Sequence, residues 1–133
     1  MDFSDLADVT KNGFMLGHIQ IKKQNDELCL AAVKQNGLAL QYVQKQTHDI
    51  CLAAVTQNGG ALFYVETQTP DLCLAAVNQD GHALVYVETQ TDEICLAAVK
   101  QNGDVLKYVQ KQTSKICLVA AERNNKLITS ANP

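Results

Sequence analysis

Residues 48–69 read HDICLAAVTQNGGALFYVETQT, and the same 22-residue phrase is written again on both sides of them. Residues 26–47 read DELCLAAVKQNGLALQYVQKQT, residues 70–91 PDLCLAAVNQDGHALVYVETQT and residues 92–113 DEICLAAVKQNGDVLKYVQKQT. A decaying copy, SKICLVAAERNNKLITSANP, follows from Ser114. Upstream, Val9-Thr10-Lys11-Asn12-Gly13 echoes Val33-Lys34-Gln35-Asn36-Gly37, with Gly13 and Gly37 24 residues apart. Residues 1–25 therefore read as a degenerate starting unit with a two-residue insertion near Ile21–Gln24. A fixed period of this length marks a stacked array, in which each unit buries its apolar side against its neighbours. The whole chain, 1–133, is expected to form one repeat domain, with 1–25 and 114–133 as atypical end units.

Three folds compete for the unit. A leucine-rich repeat tolerates this period, but its last template position falls on Leu38, Gly60, His82 and Asp104, which share no core character. A β-hairpin array is suggested by Asn36-Gly37 between apolar stretches, a type I′ turn signal. Two short helices per unit is the third reading, and the positions that change between repeats favour it. Gln41/Phe63/Val85/Lys107, Gln44/Glu66/Glu88/Gln110 and Lys45/Thr67/Thr89/Lys111 are spaced i, i+3, i+4, one face of a helix. Leu62 and Val65, with Ala61, fall on the opposite arc. In the first segment Ile50, Cys51, Ala54 and Val55 form a broad arc of helical period, and the Ala pair prefers helix to strand.

The punctuation agrees. Thr47, Thr69, Thr91, Thr113 and Asn25 stand where N-caps are wanted, Pro70 fits the first helical position, and Asp49, Asp71 and Glu93 sit in the first turn near the positive helix end. Gly37, Gly59, Gly81 and Gly103 suit a left-handed residue just past a helix, with Asn125 as a substitute in the last unit. The expected unit is a helix of roughly 10–11 residues, a tight turn and a second helix of roughly 7–8. The fold class is all-α, a short right-handed-type α-solenoid, with the hairpin and leucine-rich arrays as runners-up.

Composition removes whole function classes. The chain has 133 residues, 47% apolar and 19% charged, with net charge −3 and pI near 5.5. That balance argues for a packed core and against a nucleic-acid or anionic-membrane binder. Apolar runs such as Cys51–Val55 are far shorter than the ~20 residues of a membrane span. The cysteines, Cys29, Cys51, Cys73, Cys95 and Cys117, recur once per unit. Equivalent positions on stacked helices lie about 8–10 Å apart, beyond the ~7 Å a disulfide allows, and no C-x-x-C pair offers a metal site. Small buried core residues with free thiols are expected, in a reducing compartment.

His18, His48 and His82 share no metal-binding spacing, and the latter two read as solvated. Serine is nearly absent from the repeats, no phosphate-binding glycine loop can be written, and Asp26-Glu27 and Asp92-Glu93 are explained by helix starts. The Gln ladders 35/57/79/101 and 46/68/90/112, and Asn36/Asn58/Asp80/Asn102 beside the glycines, read as turn and inter-repeat hydrogen bonding. Tyr42, Tyr64, Tyr86 and Tyr108 are expected to cover the core edge, without the adjacent positive charge that base stacking needs. No catalytic residue, cofactor or metal is expected.

Charge is less evenly spread. Residues 48–91 carry Asp49, Glu66, Asp71, Asp80 and Glu88 and no Lys or Arg, between neutral flanking units and a C-terminal unit of +2 (Lys115, Glu122, Arg123, Lys126). The same two units present Phe63 and Val85 on the variable face. Phe63, Glu66, Val85 and Glu88 are therefore the expected contact surface for a protein partner with a basic rim.

The phrase [DE]-[IL]-C-L-A-A-V-x-Q-N-G-x-A-L-x-Y-V-x-x-Q-T resembles the repeat of the family called domain of unknown function 4116. The resemblance covers about Asp26 to Val119, and ICLAAVKQNG (Ile94 to Gly103) is its most specific part. It implies a helical interaction repeat of the kind known chiefly from bacteria living inside amoebae, where many members are host-delivered effectors, and from giant viruses and protists. The family has no assigned catalytic residues to carry over. The two irregular end units favour a self-contained protein.

The expectation is thus a non-enzymatic protein-interaction module, cytoplasmic or delivered into a host cytosol, binding neither nucleic acid nor membrane. The alternative is a self-associating structural repeat, a homo-oligomer through its end units, with Leu127-Ile128 docking on a second copy.

Overall fold

The structure, a computed structural model, describes residues 3–19 and 23–131, with side chains described for 4–19 and 23–124. Among the described residues it is helical without strands. Six α-helices, α1 (Phe3–Lys11), α2 (Asp26–Gln35), α3 (His48–Gln57), α4 (Pro70–Gln79), α5 (Asp92–Gln101) and α6 (Ser114–Ala131), alternate with five 3₁₀ helices. These are Gly13–His18, Gly37–Tyr42, Gly59–Tyr64, Gly81–Tyr86 and Gly103–Tyr108. Each α-helix packs on the next α-helix and each 3₁₀ helix on the next 3₁₀ helix, giving two parallel layers. Each 3₁₀ helix also lies against the α-helices before and after it, so the array is an α-solenoid of 22-residue units.

The helix starts are as the sequence predicts. Thr47, Thr69, Thr91 and Thr113 accept from the backbone N–H three residues on, at 3.2–3.4 Å, and Asn25 does so from Leu28 at 2.8 Å. Pro70 opens α4. The turns differ from expectation. No glycine among the described residues has a positive φ, so Gly37, Gly59, Gly81 and Gly103 are not left-handed helix ends. A single extended residue makes the turn instead. Asn58 (φ −149, ψ 112) donates its N–H to Ala54 O and accepts from Gly60 N–H on its side chain. It closes one helix and caps the next, as do Asn36, Asp80 and Asn102.

The glycines are needed for space. A Cβ on Gly59 would stand 2.5 Å from the carbonyl oxygen of Ala76 in the following α-helix, and one on Gly37 would strike Ala54 O more closely still. Gly60, next to Gly59, has open space apart from Asn58 Oδ1 at 3.1 Å.

The second helix also departs from the reading. It is a six-residue 3₁₀ helix, not an α-helix of 7–8 residues, and it ends at Tyr64 with Val65 already extended (φ −74, ψ 120). Geometry accounts for the choice. Six 3₁₀ residues rise about 12 Å, close to the ~15 Å of a ten-residue α-helix. Few residues thereby cross back over the full width of the layer. Ala61, Leu62 and Val65 still point inward, where they meet Ile50, Cys51, Ala54 and Val55 in one continuous core.

Every interior joint is latched at both edges by glutamine. Where the α-helices end, Gln57 Oε1 accepts from Gly37 N–H (2.6 Å), Gln79 from Gly59 (2.6 Å) and Gln101 from Gly81 (3.0 Å). Where they begin, the Gln46 amide donates to Tyr64 O (2.8 Å) and accepts from Glu66 N–H (3.0 Å) and the Cys51 thiol (3.3 Å). Gln68 and Gln90 repeat this one and two units on. Both polar ladders are thus inter-repeat hydrogen bonding. Gln24 belongs to the second ladder too, donating to Tyr42 O at 2.9 Å, although the insertion at 21–24 lies partly outside the described residues. The thiol contact was not legible in the sequence.

The last unit drops this hardware. Its counterpart of the ladder glutamine is Arg123, and α6 runs through Asn125 to Ala131, so Asn125 ends no helix.

Candidate interaction surface

The 3₁₀ layer carries the apolar part of the expected surface. Phe63 is 64% exposed and Val85 52%, because the fifth residue of each 3₁₀ helix points away from the α-layer. Phe63 stands edge-on between Tyr64 (5.1 Å, 87°) of its own unit and Tyr86 (5.4 Å, 69°) of the next. Such edge-to-face pairs hold a ring in place at a surface. Tyr42, Tyr64 and Tyr108 are half-buried, whereas Tyr86 is exposed beside Phe63. Toward the last unit, the Lys107 ammonium lies 5.3 Å from the Tyr108 ring, so the aromatic line ends in a cation.

Glu66 and Glu88 are exposed but sit elsewhere. The 3₁₀ helix stops two residues before each, so the i, i+3, i+4 spacing that linked them to Phe63 and Val85 straddles a helix end. They line two equivalent clefts at the edge where the α-helices begin. One is formed with Gln46, His48, Cys51 and Thr69, the other with Gln68, Pro70, Cys73 and Thr91. Neither cleft has Phe63 or Val85 in its lining. The four expected residues thus form an apolar ridge and a neighbouring acidic edge.

The edge is electrostatically one-sided. Asp49, Asp71, Asp92 and Glu93 sit in the first turns of α3, α4 and α5, and Glu66 and Glu88 stand beside them. His48 Nε2 lies 3.0 Å from the Asp71 carboxylate and ties two units together. Asp71 is held below the usual carboxylate range, chiefly by the Thr69 hydroxyl at 2.6 Å, with backbone N–H groups and His48 adding to it. His82, at the opposite edge, faces Asp80 at 3.3 Å.

The buried thiols, two of which (Cys51 and Cys73) line these clefts, are protected rather than activated. Burial pushes the Cys29 thiol up to about 11, helped by Asp26. Burial also raises Cys51, Cys73 and Cys95, with smaller contributions from Glu66, from Glu88 and Asp71, and from Asp92 respectively. All five cysteines are free; four are buried and Cys117 is half-buried. A thiol held protonated in this way is a poor nucleophile at neutral pH. Among the described residues, no group of three or more His, Cys, Asp or Glu could hold a metal ion, and no helix is long and apolar enough to cross a membrane.

One surface was not anticipated. On the outer side of the α-layer, shallow apolar grooves run between neighbouring helices. One is lined by Leu30, Lys34, Asp49, Leu52 and Ala53, and another by the residues two units on, Leu74, Asn78, Glu93, Leu96 and Ala97. At about 100° per residue, Leu52 lies well off the arc of Ile50, Cys51, Ala54 and Val55, so an invariant leucine there was the available signal. Leu127 and Ile128, the expected docking tail, have side chains outside the described residues.

No curated protein and no solved structure gives a significant match to the chain. A family model does match, at residues 25–69 and again at 69–112, each match spanning two of the latched units described above. The chain therefore belongs to the family described as domain of unknown function (DUF4116).

Proposed function

We propose that the chain is a non-enzymatic protein-interaction module whose 3₁₀ ridge receives an apolar side chain of a partner while its acidic edge receives Lys or Arg beside it. The observation that carries this reading is Phe63, 64% exposed yet held between two tyrosine rings. It stands within a stretch, residues 46–99, that has seven carboxylates and no Lys or Arg. Aromatic anchors dominate many binding hot spots, and a neighbouring edge of one charge selects partners and speeds encounter. The protonated, buried thiols support a binding role over a catalytic one: in the cleft that holds both Cys51 and His48, the thiol donates to Gln46 Oε1 at 3.3 Å and His48 Nε2 faces Asp71 at 3.0 Å. The free cysteines suit a reducing compartment, the cytoplasm or a host cytosol. The resemblance to host-delivered repeats supports a bacterial effector as the setting.

Selection from a random displayed-peptide library tests the reading. Peptides with an apolar residue flanked by Lys or Arg should be enriched, and Phe63→Ala or the pair Glu66→Lys and Glu88→Lys should abolish their capture. No enrichment, or enrichment indifferent to these changes, would contradict it.

A further inference from the structure

The outer side of the α-layer repeats one short pattern in every unit from α2 to α6: a first-turn residue, a leucine three places on, and a third residue four places beyond that. The leucines run from Leu30 to Leu118 at 22-residue intervals; the first four are half-buried and Leu118 is 59% exposed. The flanking residues are charged in opposite senses in three units: Glu27 with Lys34, Glu93 with Lys100, and Lys115 with Glu122. In the other two, Asp49 is matched with Thr56 and Asp71 with Asn78. Seven helical residues span about 10 Å, too far for these pairs to neutralise each other within one helix. Among the described residues the ion pairs are His48–Asp71 and Asp80–His82, so none of the six charges above is engaged.

We propose that this face is the interface of a homodimer, in which a second copy packs on it about a two-fold axis running along the stack. That operation sets each unit opposite itself with its helix reversed. The leucine column then meets its own copy, and every helix-start residue faces the helix-end residue of the same unit. Glu27 meets Lys34 of the second copy and Glu93 meets Lys100. In the last unit the signs are exchanged on both sides, Lys115 with Glu122, and the match survives. Asp49 and Asp71 meet the uncharged Thr56 and Asn78. No like-charged pair is created among these ten positions. The other in-plane two-fold, across the stack, sets Asp71 against Asp71 and Asp49 against Glu93, and is disfavoured by repulsion. An isologous contact demands such self-complementarity. The four ten-residue helices α2 to α5 and the first ten residues of the longer α6, at ordinary spacing, present roughly 700 Å², close to the ~800 Å² per partner of a standard stable interface. The leucines supply the affinity and the charges fix the orientation.

Sedimentation velocity of the whole chain across a wide concentration range tests this. A concentration-dependent dimer is expected. Leu52→Glu with Leu96→Glu should leave a monomer with an unchanged far-UV circular dichroism spectrum, since both side chains are half-exposed. Lys34→Glu with Lys100→Glu should weaken the dimer about ten-fold, by the loss of two attractive contacts and their two-fold copies. Adding Glu27→Lys and Glu93→Lys should restore it. A monomer at every concentration overturns the proposal, as does a dimer indifferent to the leucine changes or a charge exchange without rescue. Phe63→Ala lies on the other layer and should leave the dimer intact, so this result and the peptide-binding result fail separately.

Discussion

The joint between the units at 48–69 and 70–91 and the joint between 92–113 and the last unit are built from nearly the same sequence but held differently. At the first, Gln68 reaches forward to Tyr86 O and Glu88 N–H, and Gln79 reaches back to Gly59 N–H. At the second, the Gln112 amide donates back to Leu106 O at 3.1 Å in its own unit and keeps only a long contact, 3.8 Å, from the Cys117 thiol of the last unit, and Arg123 stands where the returning glutamine would be. Gln112 has the same residue type and spacing as Gln68, so its conformation is set by what lies beyond it. The lesson is that the repeat's most regular polar residues serve the joint and not the unit. Glutamine and glycine recur because a neighbour is there to receive the amide and to press a carbonyl against the glycine.

The largest effect expected from this contrast is at the glycines. Gly59→Ala drives a methyl group against the Ala76 carbonyl and should cost about 3 kcal/mol, read from the thermal or urea midpoint. Gly60→Ala, one residue away with only the Asn58 side chain within reach, at 3.1 Å, should change stability by no more than about 0.5 kcal/mol, since the equivalent positions carry Leu38, His82 and Asp104. Gly103→Ala should fall between them, because the Asn124 side chain at 2.6 Å can turn aside and the backbone obstacle, Ala120 O at 2.8 Å, is less close than Ala76 O is to Gly59. Equal losses at all three would break the comparison.

Next in size are the glutamines. Gln68→Ala leaves Tyr86 O, Glu88 N–H and the Cys73 thiol without their partner and should cost about 2 kcal/mol, against about 0.5 kcal/mol for Gln112→Ala. Urea melts of the two variants, run side by side, sharpen the distinction between interior and end.

The thiols carry a smaller, pH-dependent effect. The native state keeps Cys29, Cys51, Cys73 and Cys95 protonated to higher pH than the unfolded chain does. Their stabilisation is therefore complete below the ordinary thiol value of 9.0 and is lost as pH rises through the native value, about 11 for Cys29. Titration with a thiol-specific reagent at pH 8 should label half-buried Cys117 first and the four buried thiols only on unfolding. Smallest is Asp71. Its lowered value adds stability that is present above the ordinary carboxylate range and lost as pH falls through the native value. Asp71→Asn should flatten the acid limb of the melting-temperature profile slightly, through the lost contacts to Thr69 and His48.

Much of the fold was legible because the period, the Thr caps and the Ala pairs each state a local requirement. The second helix was less so. An α-helix and a 3₁₀ helix bury Ala61, Leu62 and Val65 alike, and only the width of the layer decides between them. The same ambiguity governed the surface. Exposure was foreseen for Phe63, Val85, Glu66 and Glu88, but their grouping assumed a helix running through Glu66. The glycines were read from their usual place after a helix, whereas the demand on them comes from a carbonyl in the next unit, 17 residues on, which no local pattern reveals.

The central claim is that neighbouring units are locked by glutamine side chains, and native-state hydrogen exchange of the Glu66 and Glu88 amides tests it most directly. Both residues are exposed and lie outside any helix, and each amide's acceptor is a glutamine of the preceding unit, at 3.0 Å. The account predicts protection comparable to that of the amides inside α3 and α4, and its loss at Glu88 alone in the Gln68→Ala variant. Exchange of both amides at the rate of an unstructured peptide would contradict it.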